Sequence, residues 1–382
     1  MPKKILCVAG TRPEVIKMAP LIIELRQKDW TDVVVVASGQ HRELSNSAFD
    51  VFGIVPDFNL DVMTANQTLS QLTAKLFIAF DGLISEQAPD LVVVQGDTTT
   101  VMVVATVCFY LGVPVGHLEA GLRTGNIKDP FPEEFNRVVC GKTAALHFAP
   151  TQKAYDALRA DLVPAGSIIL TGNTVIDALM MTAGVPPTAV SKDKRLILLT
   201  AHRRENFGQP LRNVFSAVKD VVEQRNDIEV LYPVHPNPNV KGLAEEFFWN
   251  VPRVHLCAPL GYDHFVGAMR RAFLIVSDSG GVQEEAPALG KPVLVTRRET
   301  ERPEAVAAGV ARLVGTDYES VRSNIEMLLD SDQSYARMSI GCSPYGDGKA
   351  SSRVADAIKH FLGLSATREL DDFSFQLLRN RA

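Results

Sequence analysis

Short apolar runs alternate with segments of helical periodicity through the first half of the chain. Runs rich in Val, Ile and Leu predict buried strands at residues 3–9, 33–37, 91–94 and 113–118. Apolar positions recurring at helical spacing predict helices at residues 13–28 and 98–111. Nearly continuous apolar strands between helices are typical of a parallel sheet that is covered on both faces.

The same alternation restarts after residues 182–194, where the periodicity lapses and Gly and Pro cluster as in a linker. Strands are predicted at residues 196–200, 229–232, 254–257, 274–277 and 293–296, with helices at 211–224 and 262–271. The predicted fold class is α/β, with two Rossmann-like doubly wound domains that face a cleft. Ligands of open parallel sheets bind outside the carboxyl ends of the strands, so we expect the site in that cleft.

Size and composition agree with two folded domains. The chain has 382 residues, and a single hydrophobic core stops growing at roughly 250 to 300 residues. Hydrophobic residues make up 46% and charged residues 22%, as in compact globular proteins. A net charge of -5 provides no general attraction for nucleic acid or an anionic membrane, so neither is expected as a partner.

Several features predict a cytoplasmic protein. The five cysteines are widely spaced and include no Cys-x-x-Cys pair, which fits a reducing compartment. The first residues lack the apolar core and cleavage site of a signal peptide. The longest uncharged stretch, residues 98–116, contains several Thr together with Gly and Pro, unlike a membrane span of about 20 apolar residues.

The sharpest local signal is residues 274–286, where an apolar strand runs through Ser279, Gly280 and Gly281 into a predicted helix. Glycines let the backbone approach a phosphate, and the helix N-terminus favours its negative charge. Glu285, further along the helix, is placed to accept hydrogen bonds from ribose hydroxyls. The alternative is that Ser279 only caps the helix and the two glycines only form a turn.

Cations follow the first strand of each half. Arg12 and Lys17 lie at the start of the first predicted helix, where a cation is unfavourable unless an anion binds there. His202 and Arg203 follow the strand at 196–200, and His235 follows another strand of the second half. These residues are candidates for phosphate contacts, although clustered charges are more often solvated.

Three carboxylates follow strand ends in the first half: Asp97, Glu119 and Glu133. Asp97 has the alternative role of capping the helix at 98–111, and Glu133 or Glu134 that of complementing the dipole of a helix starting near Pro132. A structural role is harder to assign to Glu119, because an acid directly after an apolar strand is costly to bury without a partner.

Neither a metal nor a nicotinamide cofactor is predicted. The histidines lack metal-ligand spacing, and the sequence contains no His-Glu-x-x-His motif. No Gly-x-Gly-x-x-Gly motif follows either opening strand.

Taken together, five motifs resemble those of the bacterial non-hydrolysing UDP-N-acetylglucosamine 2-epimerases. They are Gly-Thr-Arg-Pro-Glu at 10–14, Gly-Asp-Thr-Thr-Thr at 96–100, Glu-Ala-Gly-Leu-Arg-Thr at 119–124, His-Arg-Arg-Glu at 202–205 and Ser-Asp-Ser-Gly-Gly-Val-Gln-Glu-Glu-Ala-Pro at 277–287. The resemblance implies interconversion of UDP-N-acetylglucosamine and UDP-N-acetylmannosamine, a GT-B glycosyltransferase-like fold, a homodimer and no added cofactor. It implies an N-terminal domain at 1–172, joined by a C-terminal helix at about 349–365, and a UDP-binding domain at 173–348.

The resemblance also implies roles for single residues. Asp97, Glu119, Glu133 and His202 match catalytic positions, and substrate or UDP binding falls to Arg12, Lys17, His235, Ser279, Gly280, Gly281, Glu285 and Arg302. Many relatives have a second, regulatory UDP-N-acetylglucosamine site, whose matching positions are Gln40, His41, Glu134 and Arg203, together with His235.

The mechanism expected is elimination of UDP to 2-acetamidoglucal, followed by re-addition, because the proton on sugar C2 has no neighbouring carbonyl to acidify it. The product would supply N-acetylmannosamine units for surface polysaccharide synthesis. Three alternatives remain: a glycosyltransferase of the same fold, a hydrolysing epimerase that releases N-acetylmannosamine and UDP, and a non-catalytic UDP-sugar sensor.

Overall fold

The structure, a computed structural model, describes residues 1–39, 48–64 and 66–374. Among the described residues two units are distinguished: Met1–Met181 together with residues 345–374, and Thr182–Pro344. Residues 173–181 and 345–348, which the sequence assigned to the second domain, therefore cluster with the first unit. The assignment of catalysis to one domain and UDP binding to the other stays a prediction.

The first unit is built on a parallel sheet. Its strands are β1 (Lys3–Ala9), β2 (Thr31–Ala37), β3 (Phe58–Asn59), β4 (Leu91–Gln95), β5 (Val115–Leu118), β6 (Leu146–Ala149) and β7 (Ile168–Leu170), in the order β3-β2-β1-β4-β5-β6-β7. Cys7 of β1 pairs with Val35 on one side and with Val93 on the other. β4 is buried along its whole length, and β1 and β2 are buried towards their carboxyl ends, as their apolar sequences require.

Helices cover both faces of this sheet. They are α1 (Arg12–Arg26), α2 (Leu69–Gln87), α3 (Thr99–Leu111), α4 (Glu133–Thr143), α5 (Gln152–Ala160) and α6 (Thr174–Met181). α3 is apolar along most of its length and ends at Gly112, which takes the left-handed conformation that favours glycine at a helix C-terminus. The uncharged stretch at 98–116 is therefore a buried helix plus a turn, as its sequence predicts.

The second unit repeats this design. Its strands are β8 (Arg195–Thr200), β9 (Ile228–Pro233), β10 (Val254–Cys257), β11 (Leu274–Ser277), β12 (Val293–Val295) and β13 (Ala311–Leu313), in the order β10-β9-β8-β11-β12-β13. Its helices are α7 (Gln209–Gln224), α8 (Pro238–Phe248), α9 (Tyr262–Arg271), α10 (Gly280–Ala288), α11 (Pro303–Ala307), α12 (Tyr318–Asp330) and α13 (Asp332–Met338).

The predicted fold class, two doubly wound α/β domains, is confirmed. The strands at 3–9, 254–257 and 274–277 and the helix at 262–271 have the predicted bounds, and the other elements predicted from the pattern differ by one or two residues at an end. The C-terminal helix expected at about 349–365 is shorter and ends at Phe361. Short strands such as β3, β7 and β13 were not predicted, because two or three residues carry too little pattern. None of the helices in the described ranges is long and apolar enough to cross a membrane.

The chain returns to the first unit at its C-terminal end. α14 (Ala350–Phe361) packs on α1 and α6. The segment after Leu364 had no role that the sequence revealed, yet Phe373 is buried and its N–H donates to the carbonyl of Leu170 at 2.7 Å. Asp356 of α14 accepts hydrogen bonds from the N–H groups of residues 369 and 370. Up to residue 374, this tail is part of the packing of the first unit.

Strand order determines where each unit can bind a ligand. In the first unit the connections run one way from β1 through β2 to β3 and the other way from β4 to β7. In the second unit the same reversal lies between β8 and β11. Open α/β sheets bind ligands at the carboxyl ends of the strands at such a switch point. The loops after β1, β4, β8 and β11 are therefore the candidate ligand-binding loops.

Candidate active site

Glu14 joins the two loops at the switch point of the first unit. Its Oε2 accepts hydrogen bonds from the N–H groups of Gly10 at 2.8 Å and Thr11 at 2.6 Å, and its Oε1 accepts one from Thr98 Oγ1 at 2.6 Å. Burial raises the pKa of this carboxyl, and the hydrogen bonds partly oppose that shift. Glu14 was not predicted as a site residue, although a Thr followed three residues later by Glu is the signature of a capping box.

Asp97 is held by a cation and does not cap a helix. Its Oδ2 contacts two nitrogens of Arg137, Nε at 2.9 Å and Nη2 at 2.7 Å. Its main-chain carbonyl accepts a hydrogen bond from Asn136 Nδ2 at 2.8 Å. The N-cap residue of α3 is Thr98, so the alternative interpretation of Asp97 as a cap is wrong. Arg137 on α4, which was not predicted, explains the difference because its guanidinium gives the Asp97 carboxylate two charged contacts.

Glu119 is the most firmly held of the predicted acids. Its buried carboxylate accepts hydrogen bonds from Lys17 Nζ at 2.5 Å, Gln95 Nε2 at 2.6 Å and Asn173 Nδ2 at 3.0 Å. The backbone of Glu119 has a φ of 59°, a left-handed conformation that costs a non-glycine residue about 1 kcal/mol. These three donors supply the partners that a buried acid requires, and they keep the carboxylate in one place.

This arrangement gives Lys17 a neighbour that the sequence did not predict. Lys17 was expected beside a phosphate, and the structure places its ammonium against Glu119. Gln95 and Asn173 were missed altogether. They lie 24 and 54 residues from Glu119 in the sequence, and no local pattern joins them to it.

α4 brings two neighbouring acids into different environments. Glu134 is buried and accepts hydrogen bonds from the N–H groups of residues 124 and 125 and from Arg137 Nη1 at 3.0 Å. Arg137 therefore joins Glu134 to Asp97. In the described chain, Glu133 Oε2 is a buried oxygen without a hydrogen-bond partner. α4 begins at Glu133 after Pro132, as predicted.

A neutral histidine lies in the strand that leads to Glu119. His117 is buried, and its Nε2 lies 2.7 Å from the carbonyl oxygen of Gly96. A carbonyl only accepts hydrogen bonds, so Nε2 carries the proton of the neutral ring. Within the described ranges the buried Nδ1 has no partner. Burial lowers the pKa of His117 to about 3, and the nearby Arg123 contributes to the decrease.

In the second unit, the loop after β11 leads into a helix N-terminus, where the sequence predicts an anion site. α10 begins at Gly280, and Ser279 occupies the N-cap position without making a side-chain capping bond. The Ser279 N–H donates to Ser277 Oγ at 2.9 Å. A Cβ at Gly280 would lie 2.8 Å from Arg302 Cζ, so the guanidinium packs directly against the glycine backbone. A helix N-terminus with an arginine beside it is suited to bind a phosphate.

The first turns of α10 also hold the two acids next to this loop. Arg302 Nε contacts Glu284 Oε1 at 2.5 Å, which orients the guanidinium. Glu285 is buried, and its Oε1 accepts a hydrogen bond from Tyr262 Oη at 2.7 Å. Tyr262 and Glu284 were not predicted as site residues. A carboxylate held in this way is suited to bind vicinal hydroxyl groups, as proposed for Glu285.

The structure brings His202 and His235 together beside the same loop. Their rings stack with centroids 5.5 Å apart and an interplanar angle of 14°. His202 Nδ1 also lies 3.2 Å from Asp278 Oδ1. Burial is the main cause of a lowered pKa at His202, and Asp278 opposes it. The exposed His235 accepts a hydrogen bond from the Asn237 N–H at 3.1 Å.

Positive charge accumulates next to these histidines. Arg203 Nε is buried and has no hydrogen-bond partner in the part of the chain that the structure describes. Burial, followed by the charges of Arg297 and Arg302, lowers the pKa of Arg203. An anion would relieve this repulsion. Gln40 and His41, the other positions predicted for a regulatory site, lie outside the described residues.

Neither unit shows a metal cluster in the described ranges, where no three His, Cys, Asp or Glu side chains come together as metal ligands would. The two sites consist instead of carboxylates held by Lys and Arg in the first unit, and of backbone amides, histidines and arginines in the second. The roles assigned to these residues from the sequence stay predictions.

Comparison with known proteins identifies similar chains. A family model described as UDP-N-acetylglucosamine 2-epimerase matches residues 23–359. A curated Bacillus subtilis protein named UDP-N-acetylglucosamine 2-epimerase is 46% identical over 364 residues, which is 94% of this chain and 96% of that protein.

Solved structures agree with this similarity. A putative UDP-N-acetylglucosamine 2-epimerase from Listeria monocytogenes is 41% identical with a TM-score of 0.91, over 98% of this chain and 100% of that chain. The UDP-GlcNAc 2-epimerase of Neisseria meningitidis, solved bound to UDP-GlcNAc, is 38% identical with a TM-score of 0.87, over 94% of this chain and 100% of that chain.

Proposed function

The chain belongs to the UDP-N-acetylglucosamine 2-epimerase family, and from this premise we propose that it interconverts UDP-N-acetylglucosamine and UDP-N-acetylmannosamine without hydrolysis. The observation that carries this proposal is the set of acids at the carboxyl edge of the first sheet. Asp97 is held by Arg137, and Glu119 is held by Lys17. Glu133 begins α4 with a buried oxygen that has no hydrogen-bond partner among the described residues. Proton transfer at a sugar carbon needs carboxylates that are fixed in position.

The proposed reaction is elimination followed by re-addition. A carboxylate removes the C2 proton, the C1–O bond to the diphosphate breaks, and its electron pair stays on the leaving oxygen. UDP and 2-acetamidoglucal result. UDP then adds back to C1 while a proton is delivered to the opposite face of C2. The proton and UDP that leave both return, so the reaction requires no oxidant, reductant or other co-reactant.

The second unit supplies groups for the leaving diphosphate. Backbone N–H groups at the start of α10, together with His202 and Arg302, would stabilise the charge that grows as the C1–O bond breaks. Arg12, the first residue of α1 in the first unit, is proposed to act on the same charge. Glu285, held by Tyr262, would bind the ribose. The Neisseria meningitidis relative was solved with UDP-GlcNAc bound, which supports a UDP-sugar as the substrate class.

The proposal extends to the setting of the enzyme. We expect a cytoplasmic homodimer that supplies N-acetylmannosamine units for surface polysaccharide synthesis. The widely spaced cysteines fit a reducing compartment, which supports the location. Sedimentation of the purified protein tests the dimer directly.

One incubation separates the candidate functions. UDP-N-acetylglucosamine is mixed with the enzyme in heavy water and followed by NMR. Epimerisation by elimination yields UDP-N-acetylmannosamine, with deuterium at C2 of both product and recovered substrate. Free N-acetylmannosamine and UDP would identify a hydrolysing epimerase. Unchanged substrate would leave a UDP-sugar sensor, or a glycosyltransferase that lacks its acceptor.

The intermediate gives a second readout. Small amounts of 2-acetamidoglucal and UDP should escape during prolonged incubation, because re-addition competes with dissociation. Epimerisation with retention of the original C2 hydrogen, and with no detectable glucal, would contradict elimination with solvent exchange.

A further inference from the structure

Asp278 is a carboxylate with no exposed surface, and it lies between β11 and the anion-binding loop at 279–281. Its oxygens accept hydrogen bonds from the N–H of His202 at 2.9 Å, the N–H of Arg203 at 2.9 Å and Asn206 Nδ2 at 3.2 Å. These donors are backbone or amide groups. They satisfy hydrogen-bonding capacity but bring no full positive charge to balance the carboxylate.

The ring of His202 supplies a further contact, with Nδ1 located 3.2 Å from Asp278 Oδ1. A carboxylate oxygen only accepts hydrogen bonds, so a bare nitrogen at this distance would repel it. The nitrogen that faces Asp278 is therefore the one that carries a proton in the neutral ring. The other nitrogen, Nε2, is left to act on groups beyond the pair.

Other charges around His202 oppose its protonation. Besides burial, the neighbouring Arg203 and His235 lower the pKa of His202. Asp278 acts in the opposite direction as the first of the favourable charges, followed by Glu205. Without Asp278, burial of the ring, the adjacent Arg203 guanidinium and the stacked His235 would all disfavour the charged form of His202.

We propose that Asp278 is a positioning residue for His202, which it holds with Nδ1 protonated so that Nε2–H of the charged ring donates to the diphosphate of the UDP-sugar. The proposal rests on the proposed function for its last step. When the C1–O bond breaks and its electron pair moves to the phosphate oxygen, His202 Nε2 shares or transfers its proton to that oxygen. The proton returns to Nε2 when UDP adds back, and Asp278 Oδ1 keeps its contact with Nδ1 throughout.

The second unit contains a matched control pair. Glu229 is also buried, and its Oε2 lies 3.0 Å from His255 Nε2 and accepts a hydrogen bond from the Ser191 N–H. Glu229 is the second residue of β9, so it lies at the amino end of the sheet, opposite to the candidate site. A Glu229→Gln variant removes a buried charge next to a histidine without touching the proposed machinery.

The first experiment determines which nitrogen of the His202 ring carries the proton in the wild-type protein. Solid-state NMR of protein labelled with ¹⁵N-histidine distinguishes the two neutral tautomers, and the His202 signals are assigned by their loss in His202→Asn. We expect the Nδ1–H form at high pH. An Nε2–H form, or a mixture of both, would overturn the proposal. This readout needs no turnover, so it stands even if Asp278→Asn does not fold.

The second experiment follows kcat against pH for wild type, Asp278→Asn and Glu229→Gln. Asp278→Asn should lose about tenfold or more of kcat, with UDP affinity within about threefold of wild type. The decline of kcat at high pH should begin at a lower pH, because loss of Asp278 disfavours the charged ring. Glu229→Gln should retain the wild-type kcat and pH profile. A folded Asp278→Asn protein with wild-type kcat and pH profile would contradict the positioning role.

The two proposals fail in different ways. An Nδ1–H tautomer in a wild-type protein that does not epimerise would remove the proposed function and leave the ring held as described. Epimerisation by a protein whose His202 has the Nε2–H tautomer would support the proposed function and contradict the positioning role of Asp278.

Discussion

Lys17 Nζ lies 2.5 Å from Glu119 Oε1, and this contact joins the first helix of the chain to the loop after β5. The side chains of Lys17 and Glu119 are 12% and 7% exposed. A pair with so little exposure loses most of its screening by water, so removal of one partner leaves an unbalanced charge in the protein. The contact also holds the proposed catalytic acid to the helix that follows β1.

The stability of the first unit should depend on this pair. Lys17→Met is expected to lower the free energy of unfolding by about 3 kcal/mol, because it leaves the Glu119 carboxylate without its cation. In a double variant with Glu119→Gln, part of that loss should be recovered. Urea unfolding measures each value. Lys28→Met, which breaks a more accessible pair with Glu24, should cost less than about 0.5 kcal/mol. Equal decreases in the free energy of unfolding for Lys17→Met and Lys28→Met would show that burial of the Lys17–Glu119 pair does not increase its contribution to stability.

Turnover should depend on the acids without a comparable effect on UDP binding. Asp97→Asn or Glu119→Gln is expected to lower kcat about a hundredfold or more, since shape is kept and proton transfer is lost. Titration calorimetry with UDP should give an affinity close to that of wild type. Glu86→Gln, an exposed substitution on α2, is the control and should leave both measurements unchanged. Wild-type turnover in Asp97→Asn and Glu119→Gln would favour purely structural roles for both acids.

Gly280 should be required for binding of the diphosphate. A Cβ at this position would meet the Arg302 guanidinium at 2.8 Å, so Gly280→Ala should displace Arg302 and weaken UDP binding about tenfold. Gly242→Ala provides the matched control, since Gly242 lies within α8 and its Cβ would have no neighbour within 4 Å. That substitution should leave UDP binding intact and stabilise the helix by about 0.5 to 1 kcal/mol. Unchanged affinity in Gly280→Ala would remove Arg302 from the proposed binding site.

The buried His117 should make the protein sensitive to acid. Its pKa is about 3 in the folded chain and about 6.5 when exposed. Between these pH values His117 is therefore protonated in the unfolded chain and neutral in the folded chain. The stabilising contribution is therefore complete above about pH 6.5 and decreases as pH falls towards 3, by about 1.4 kcal/mol per pH unit. His117→Gln should make the free energy of unfolding less dependent on pH in this range.

Urea unfolding at several pH values measures the effect of His117→Gln. His264→Gln is the comparison, because the side chain of His264 is 53% exposed. The same pH dependence in wild type and His117→Gln would assign the acid sensitivity to other groups.

A regulatory UDP-N-acetylglucosamine site predicts a specific kinetic pattern. Initial rates should be sigmoidal in UDP-N-acetylglucosamine, and the reverse reaction from pure UDP-N-acetylmannosamine should be slow until a trace of UDP-N-acetylglucosamine is added. The feature that favours an anion there is the buried Nε of Arg203, which has no hydrogen-bond partner within the described ranges. Arg203→Met should abolish the stimulation, whereas Arg204→Met, at an exposed neighbour, should preserve it. Hyperbolic rates and an unstimulated reverse reaction would exclude the regulatory site and leave the epimerase proposal untouched.

The amino-acid sequence alone determined the fold class and the loops that form the candidate sites. Apolar runs report burial, which is a local property of each strand, so β1, β10 and β11 were predicted with the bounds that the structure has. The helix N-terminus at 279–281 was also predicted from the sequence, because the glycines and the following helix are adjacent in the chain.

Only the tertiary structure identified the partners of the site residues. Arg137 is 40 residues from Asp97, Asp278 is 76 residues from His202, and Lys17 is 102 residues from Glu119. The order of strands in the two sheets brings these residues together despite their separation in the sequence. The identity of a polar side chain does not specify which distant group will be its hydrogen-bond partner. Hydrophobic periodicity states which face of an element is buried. Strand order and loop conformation decide which charges meet there.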